Sequence, residues 1–295
     1  MFEREKSCVR LFISVDLVGS TAFKSKAEMS ASNFKAGPPW VDVFRLFYAG
    51  FPRTFERAIG NERLPERLRP RLVKAIGDEL LLVAPLQSSE DARMLIPFVA
   101  AAAREYSERN LEKDALSLKA AAWIAGFPII NHKFDLLGET GVESADYIGP
   151  SMDTGFRIAK FATAQKLVVS VDLALLLLTG HRKLDLYFDG TQSLKGVLAE
   201  RPYPVLWYKA SRENDALHKA EISLRRLKVD SDALKAYCAA FIDDCTDTWL
   251  SRPYFEDDPD FFEKPRRHEQ ILAEWARIDK KLAADEPDDS LDEFE

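Results

Sequence analysis

The stretch Leu11-Phe-Ile-Ser-Val-Asp16-Leu-Val-Gly19-Ser20-Thr21 runs apolar into a single carboxylate and then into a Gly-Ser-Thr turn. Val, Leu, Phe and Ile dominate residues 9–15, which predicts a buried strand with Asp16 at its carboxyl end. Ser20 or Thr21 then has the chemistry to cap a following helix, because a short hydroxyl accepts from amides that the first turn leaves without partners. A carboxylate beside free N–H groups suits a metal-bound triphosphate: the acid holds the cation and the amides hold phosphate oxygens. Turn chemistry alone would explain the same residues, so their meaning depends on the rest of the chain.

Two further stretches supply it. In Leu72-Val-Lys74-Ala-Ile-Gly77-Asp78-Glu-Leu-Leu-Leu-Val83, apolar residues on both sides of Gly-Asp predict antiparallel strands joined at a tight turn, with Asp78 at its tip. In Asp146-Tyr-Ile-Gly149-Pro-Ser-Met-Asp153-Thr-Gly-Phe156-Arg157, a Gly-Pro-Ser break opens a helix that carries Asp153 and Arg157 at i and i+4 on one face. Between these landmarks, a polar helix is expected after Thr21, running to about residue 30, and an aromatic helix with Val43, Phe44, Phe47, Tyr48 and Phe51 on one stripe. A surface loop is expected over 62–70, a helix over 89–113, a strand over 116–124 and an irregular segment over 127–142 that includes His132. A strand at 166–171, a short helix at 172–179 and closing strands at 184–189 and 203–209 complete the body. Helices near 215–226, 231–251 and 265–284 follow.

Composition narrows the class. At 295 residues, with 46% hydrophobic and 30% charged residues, the chain has ample length for a core. No apolar run approaches the ~20 residues that cross a bilayer, and the start, Met-Phe-Glu-Arg-Glu-Lys, lacks an apolar signal region. Cys8, Cys238 and Cys245 have neither metal-site spacing nor a disulfide framework, so a reduced cytoplasmic home is expected. Residues 285–295 hold seven acids and no base; without them the net charge of −7 becomes 41 acids against 41 bases. A neutral body with an acidic, disordered tail gives no reason to expect nucleic acid or a membrane as partner.

Taken together, the three stretches are what a two-metal phosphoryl-transfer site needs. Two carboxylates on adjacent strands can bridge a metal pair, and a fixed guanidinium stabilises charge on phosphorus oxygens. Here the chain resembles the class III nucleotide cyclases over residues 8–210, in the motifs Ser14-Val-Asp16-Leu-Val-Gly19, Lys74-Ala-Ile-Gly77-Asp78 and Gly149-Pro-Ser-Met-Asp153-Thr-Gly-Phe-Arg157-Ile. The resemblance implies an α+β fold, a central and mainly antiparallel sheet covered by helices packed over one face, with residues 211–284 as a helical extension. It implies that Asp16, Asp78 and the carbonyl of Leu17 bind two divalent ions (Mn²⁺ or Mg²⁺), and that amides of Val18, Gly19, Ser20 and Thr21 bind phosphate. Arg157 falls on the transition-state arginine, and Lys195 near a phosphate-binding lysine. Asp153 stands where the family usually has asparagine, and an acid there would repel an oxyanion unless protonated or turned toward the ribose. The resemblance also implies a homodimer whose two composite sites each take the aspartates from one subunit and Lys74, Asp146 and Arg157 from the other.

Lys74 and Asp146 fall on the family's base-selecting pair. A lysine donor and an aspartate acceptor fit adenine, uracil and cytosine; guanine, with one acceptor and two donors on its edge, fits less well. The lone cyclase domain, the helical extension, the longer stretch carrying Pro38-Pro-Trp40 and the bulky Phe156 resemble the bacterial antiphage pyrimidine cyclases of the Pycsar type. That resemblance implies UTP as substrate, with ATP and CTP as the alternatives. From a different class, Asp153 leaves room for a degenerate nucleotide-binding regulatory domain. A diguanylate synthase lacks support because no Gly-Gly-Asp/Glu-Glu-Phe signature is present, and a polymerase palm because the body is neutral and has no fingers elements.

Overall fold

The computed structural model describes residues 7–30, 38–61, 63–137, 143–210, 220, 223, 229–245, 248–265 and 267–285. Its centre is strand β1 (Cys8–Val18), which runs two residues past Asp16. β1 pairs antiparallel with β3 (Glu79–Leu86) on one side and β4 (Ser117–Phe127) on the other. The predicted hairpin forms as β2 (Arg71–Ile76) and β3, with β2 at the sheet edge. Beyond β4 lie β7 (Lys166–Val169), β9 (Pro202–Lys209) and β8 (Leu186–Ser193), giving the order β2-β3-β1-β4-β7-β9-β8. Only the β4–β7 pair is parallel, so the sheet of seven strands is mainly antiparallel, as expected.

The segment expected to be irregular contains a strand. β5 (His132–Leu137) pairs antiparallel with β6 (Glu143–Ile148) in a separate ribbon, so His132 is a strand residue and not a loop residue. His, Lys and Asp in His-Lys-Phe-Asp-Leu-Leu mask the apolar signal, because an exposed ribbon tolerates polar side chains. The expected loop over 62–70 likewise holds a helical turn at 66–68, buried Leu64 and Leu68, and Arg67 bonded to both oxygens of buried Asp91 at 2.7 and 2.6 Å.

Alternation along β1 divides the core. Leu11, Ile13 and Val15 join one large cluster with Phe44 and Phe47 of α2 (Pro39–Gly50), Phe55 of α3 (Pro52–Gly60), Leu95 of α4 (Ser89–Tyr106) and Leu173 of α6 (Val171–Leu177). The aromatic stripe is therefore core within one chain, and its Phe47 and Phe51 are fully buried. Burying a Phe contributes about 1.5–3 kcal/mol, so these rings are committed to the fold and give no support for a subunit interface. The helix expected over 89–113 stops at Tyr106 and passes through a π turn at 107–111. Phe12 points to the other face and meets Trp123, Phe127, Tyr147 and Met152. That face is covered in part by α5 (Pro150–Ala159), so the helices are not confined to one side of the sheet.

The extension is part of the same core. α7 (Ser231–Asp244) is shorter than the expected 231–251, and it buries Leu234, Cys238, Phe241 and Ile242 in the large cluster with Phe255 and Phe261 behind it. A last helix, α8 (His268–Asp285), closes the described chain. The helix expected near 215–226 falls almost wholly, and the acidic tail beyond Asp285 wholly, outside the described residues. Among the described residues no helix is long and apolar enough to cross a membrane. A buried polar contact also fastens the extension to the body. The carboxylate of buried Asp258 accepts from the backbone N–H of Ser89 at 2.7 Å, at the start of α4, where Ser88 makes no side-chain cap. Asp258 thus acts as a helix cap supplied from 169 residues away. Asp258→Ala is expected to lower unfolding stability by about 1–2 kcal/mol in urea titrations, and an unchanged midpoint would contradict this role.

Candidate active site

Register places the site. Asp16 on β1 lies opposite Glu79 on β3 and opposite Lys119 on β4, so three charged side chains share one row and one face of the sheet. The Nζ of Lys119 is 2.9 Å from Oδ2 of Asp16, and the hydroxyl of Ser14 donates to Oε1 of Glu79 at 2.6 Å. Asp78 reaches Asp16 through the β2–β3 turn, where Gly77 takes φ +63°, a conformation suited to glycine. Three bonds hold that turn: the N–H of Leu17 donates to the carbonyl of Asp78 at 3.2 Å, Tyr48 donates to the carbonyl of Gly77, and Ser20 donates to Oδ2 of Asp78. The hydroxyl of Ser20, expected as a possible helix cap, is thus engaged with Asp78.

Electrostatics follow from this crowding. Burial pushes the Asp16 carboxyl above its ordinary value; Lys119 and the nearby Leu17 N–H pull the other way, and the charge of Asp78 adds to the rise. Burial likewise raises Glu79, opposed by Ser14 and reinforced by Asp16 and Asp78. Oδ1 of Asp16 is buried with no hydrogen-bond partner. A buried carboxylate oxygen without a donor is costly, and a cation is the partner that its chemistry asks for. Among the described residues no group of three or more His, Cys, Asp and Glu side chains is arranged to hold a metal. Asp16, Asp78 and the adjoining backbone offer oxygen donors, the kind that hard divalent ions take.

Lys74 and Asp146 meet each other within one chain. Nζ of Lys74 is 2.6 Å from Oδ1 of Asp146, which also accepts from the N–H of Tyr147 at 2.8 Å. Burial opposes ionisation of Asp146, but the Lys74 bond and the Tyr147 N–H outweigh it and hold the carboxyl below its ordinary value. A bulge between Leu72 and Lys74 explains the aim, since it sets Lys74 opposite Leu81, on the same sheet face as Ser14 and Asp16. Val18, Gly19 and Thr21 are exposed at the junction of β1 and α1 (Ser20–Ser30), with Gly19 at φ +87°.

Other expected residues are not gathered to this point. Asp153 and Arg157 are exposed on the outer side of α5, and among the described residues they form no ion pair with each other. Lys195 is exposed just after β8, four strands from β1, or about 19 Å at usual strand spacing. Ser14, Glu79, Lys119 and Tyr48 were missed. Ser14 and Glu79 do carry a local signal, because Ser14 stands two residues before Asp16 on the same strand face and Glu79 adjoins Asp78. Tyr48 comes from a remote helix and carries no such signal.

α5 closes over this row. A cavity of about 190 Å³ lies between them, lined by Ser14, Asp16, Glu79, Lys119, Phe156 and Lys160 among others. No protein-family model matches the chain, and no curated protein matches its sequence. Solved structures do match its fold. The adenylyl cyclase CyaB from P. aeruginosa is 13% identical with a TM-score of 0.52, and the match covers 72% of this chain and 99% of that one. The chain has the fold of an adenylyl cyclase. A bacterial light-regulated adenylyl cyclase matches at 10% identity and a TM-score of 0.50, over 81% of this chain and 59% of that one.

The close approach of α5 depends on Gly155, where an added Cβ would lie 2.1 Å from the Trp123 ring. Gly155→Ala is expected to cost about 1–3 kcal/mol in denaturant unfolding as α5 is forced off β4, and wild-type stability would contradict the packing described.

Proposed function

We propose that this chain is a nucleotide cyclase that converts a nucleoside triphosphate, UTP by preference, into the 3′,5′-cyclic monophosphate and pyrophosphate. The observation that carries this reading is the proximity of Asp78, in the β2–β3 turn, to Asp16 on β1, with Oδ1 of Asp16 buried and lacking a hydrogen-bond partner. The fold shared with adenylyl cyclases supports it. Residues 1–210 would form the catalytic unit, with 211–284 as an extension.

In the reaction, the ribose 3′-oxygen attacks the α-phosphorus, and the bond to the bridging oxygen breaks to release pyrophosphate. Divalent ions held by Asp16, Asp78 and the Leu17 carbonyl would lower the pKa of that hydroxyl and neutralise triphosphate charge. The amides of residues 18–21 hold phosphate oxygens at the start of α1. Lys74 donates to the base edge and Asp146 accepts from it, a pattern that uracil satisfies through a carbonyl and N3–H. Arg157 donates to the phosphorus oxygens as charge builds, which requires α5 of a second copy, because within one chain Arg157 points outward. Asp153 shares that outer side, and facing the ribose hydroxyls would keep it from the phosphate oxygens. The choice of UTP over ATP and CTP, and a signalling role in antiphage defence, rest on the resemblance to Pycsar cyclases.

The test is incubation of the chain with ATP, CTP, GTP and UTP in turn, with Mn²⁺, and identification of cyclic products by mass. Cyclic UMP and pyrophosphate are expected, lost in Asp16→Asn and in Asp78→Asn. Asp78→Asn and Arg157→Ala chains, each inactive, should recover up to about a quarter of wild-type activity when mixed, through one intact composite site per heterodimer. Another cyclic nucleotide would correct the base assignment. Nucleotide binding without turnover would instead indicate a regulatory domain.

A further inference from the structure

The row beneath α5 holds a residue that the reaction as described does not use. Lys119 projects from β4, its ammonium 2.9 Å from Oδ2 of Asp16. Across β1, Glu79 stands in the same row and is fixed by Ser14 at 2.6 Å. The row and its turn therefore carry three carboxylates, Asp16, Asp78 and Glu79, and one ammonium. All three carboxylates interact electrostatically with one another, and Lys119 acts on both Asp16 and Glu79.

We propose that Lys119 and Glu79 are a built-in counter-charge pair that sets how tightly Asp16 and Asp78 hold divalent cations. The proposal rests on the nucleotide-cyclase reading. Without a nearby ammonium, the negative charge of Glu79 beside Asp16 and Asp78 would strengthen the hold of those two carboxylates on a divalent ion and slow the release of its pyrophosphate complex. Lys119 lowers the cluster charge from −3 to −2, and its bond to Oδ2 leaves Oδ1 as the open donor of Asp16. Glu79 offsets Lys119 from the opposite strand, and Ser14 keeps it in the row. Because Glu79 and Lys119 flank Asp16 on the two neighbouring strands and share its partly shielded face, the sign of each effect follows from Coulomb's law.

The test is calorimetric titration of the full chain with Mn²⁺ alone, without nucleotide. Wild type should bind and Asp16→Asn should not. Lys119→Met should bind on the order of tenfold more tightly, Lys119→Arg within about threefold of wild type, and Glu79→Gln on the order of tenfold more weakly. The double variant Lys119→Met/Glu79→Gln should return to within about threefold of wild type, a rescue that a merely structural role would not produce. Unchanged or weaker binding by Lys119→Met would overturn the proposal while leaving the cyclase reading intact. If Lys119→Met does not fold, wild-type affinity in Glu79→Gln overturns it instead. Absence of Mn²⁺ binding to the wild type would overturn both.

Discussion

The structure depends on one constraint of strand register. Asp16 sits on the central strand with β3 on one side and β4 on the other, and the pairing fixes Glu79 and Lys119 as its neighbours. A slip of one residue on any of the three strands would turn that member of the row to the packed face, where Leu11, Ile13 and Val15 now lie. Burial of the apolar set and placement of the charged set are thus the same event. The helices α2, α3, α4 and α6 hold the apolar side, and α5 with its Gly155–Trp123 contact closes the charged side.

Much of this was legible in the sequence because β1, the β2–β3 hairpin and α5 are marked by local signals. An apolar run stopped by Asp16, a Gly-Asp turn between two apolar runs and a Gly-Pro helix start each state their geometry within a few residues. What was not legible depends on partners far apart in the chain. Lys119 reads as an ordinary interruption of a strand until β4 is laid beside β1. Tyr48 reads as one more ring in a stripe until its hydroxyl is found on the carbonyl of Gly77. β5 was missed for the opposite reason: an exposed ribbon needs no apolar run, so the pattern that marks buried strands is absent.

The extension changes how the domain is understood. Asp258 caps α4 across 169 residues, and Phe255 and Phe261 share the core with β1. Through these contacts the described residues of α7 and of the segment around Asp258 share the core of the body. They also absorb apolar surface that the sequence left without an assigned partner, as α2 does with its Phe side chains. The case for a second subunit consequently rests on α5, whose Asp153 and Arg157 face away from the carboxylates of their own chain.

The central claim is that Oδ1 of Asp16 and the carboxylate of Asp78 together hold divalent cations. The direct measurement is anomalous diffraction at the manganese edge from crystals grown with Mn²⁺ and a non-cyclising UTP analogue. The account predicts anomalous peaks in contact with Oδ1 of Asp16 and with Asp78, beside the start of α1. Manganese bound elsewhere, or none at this cluster with the nucleotide in place, would contradict it.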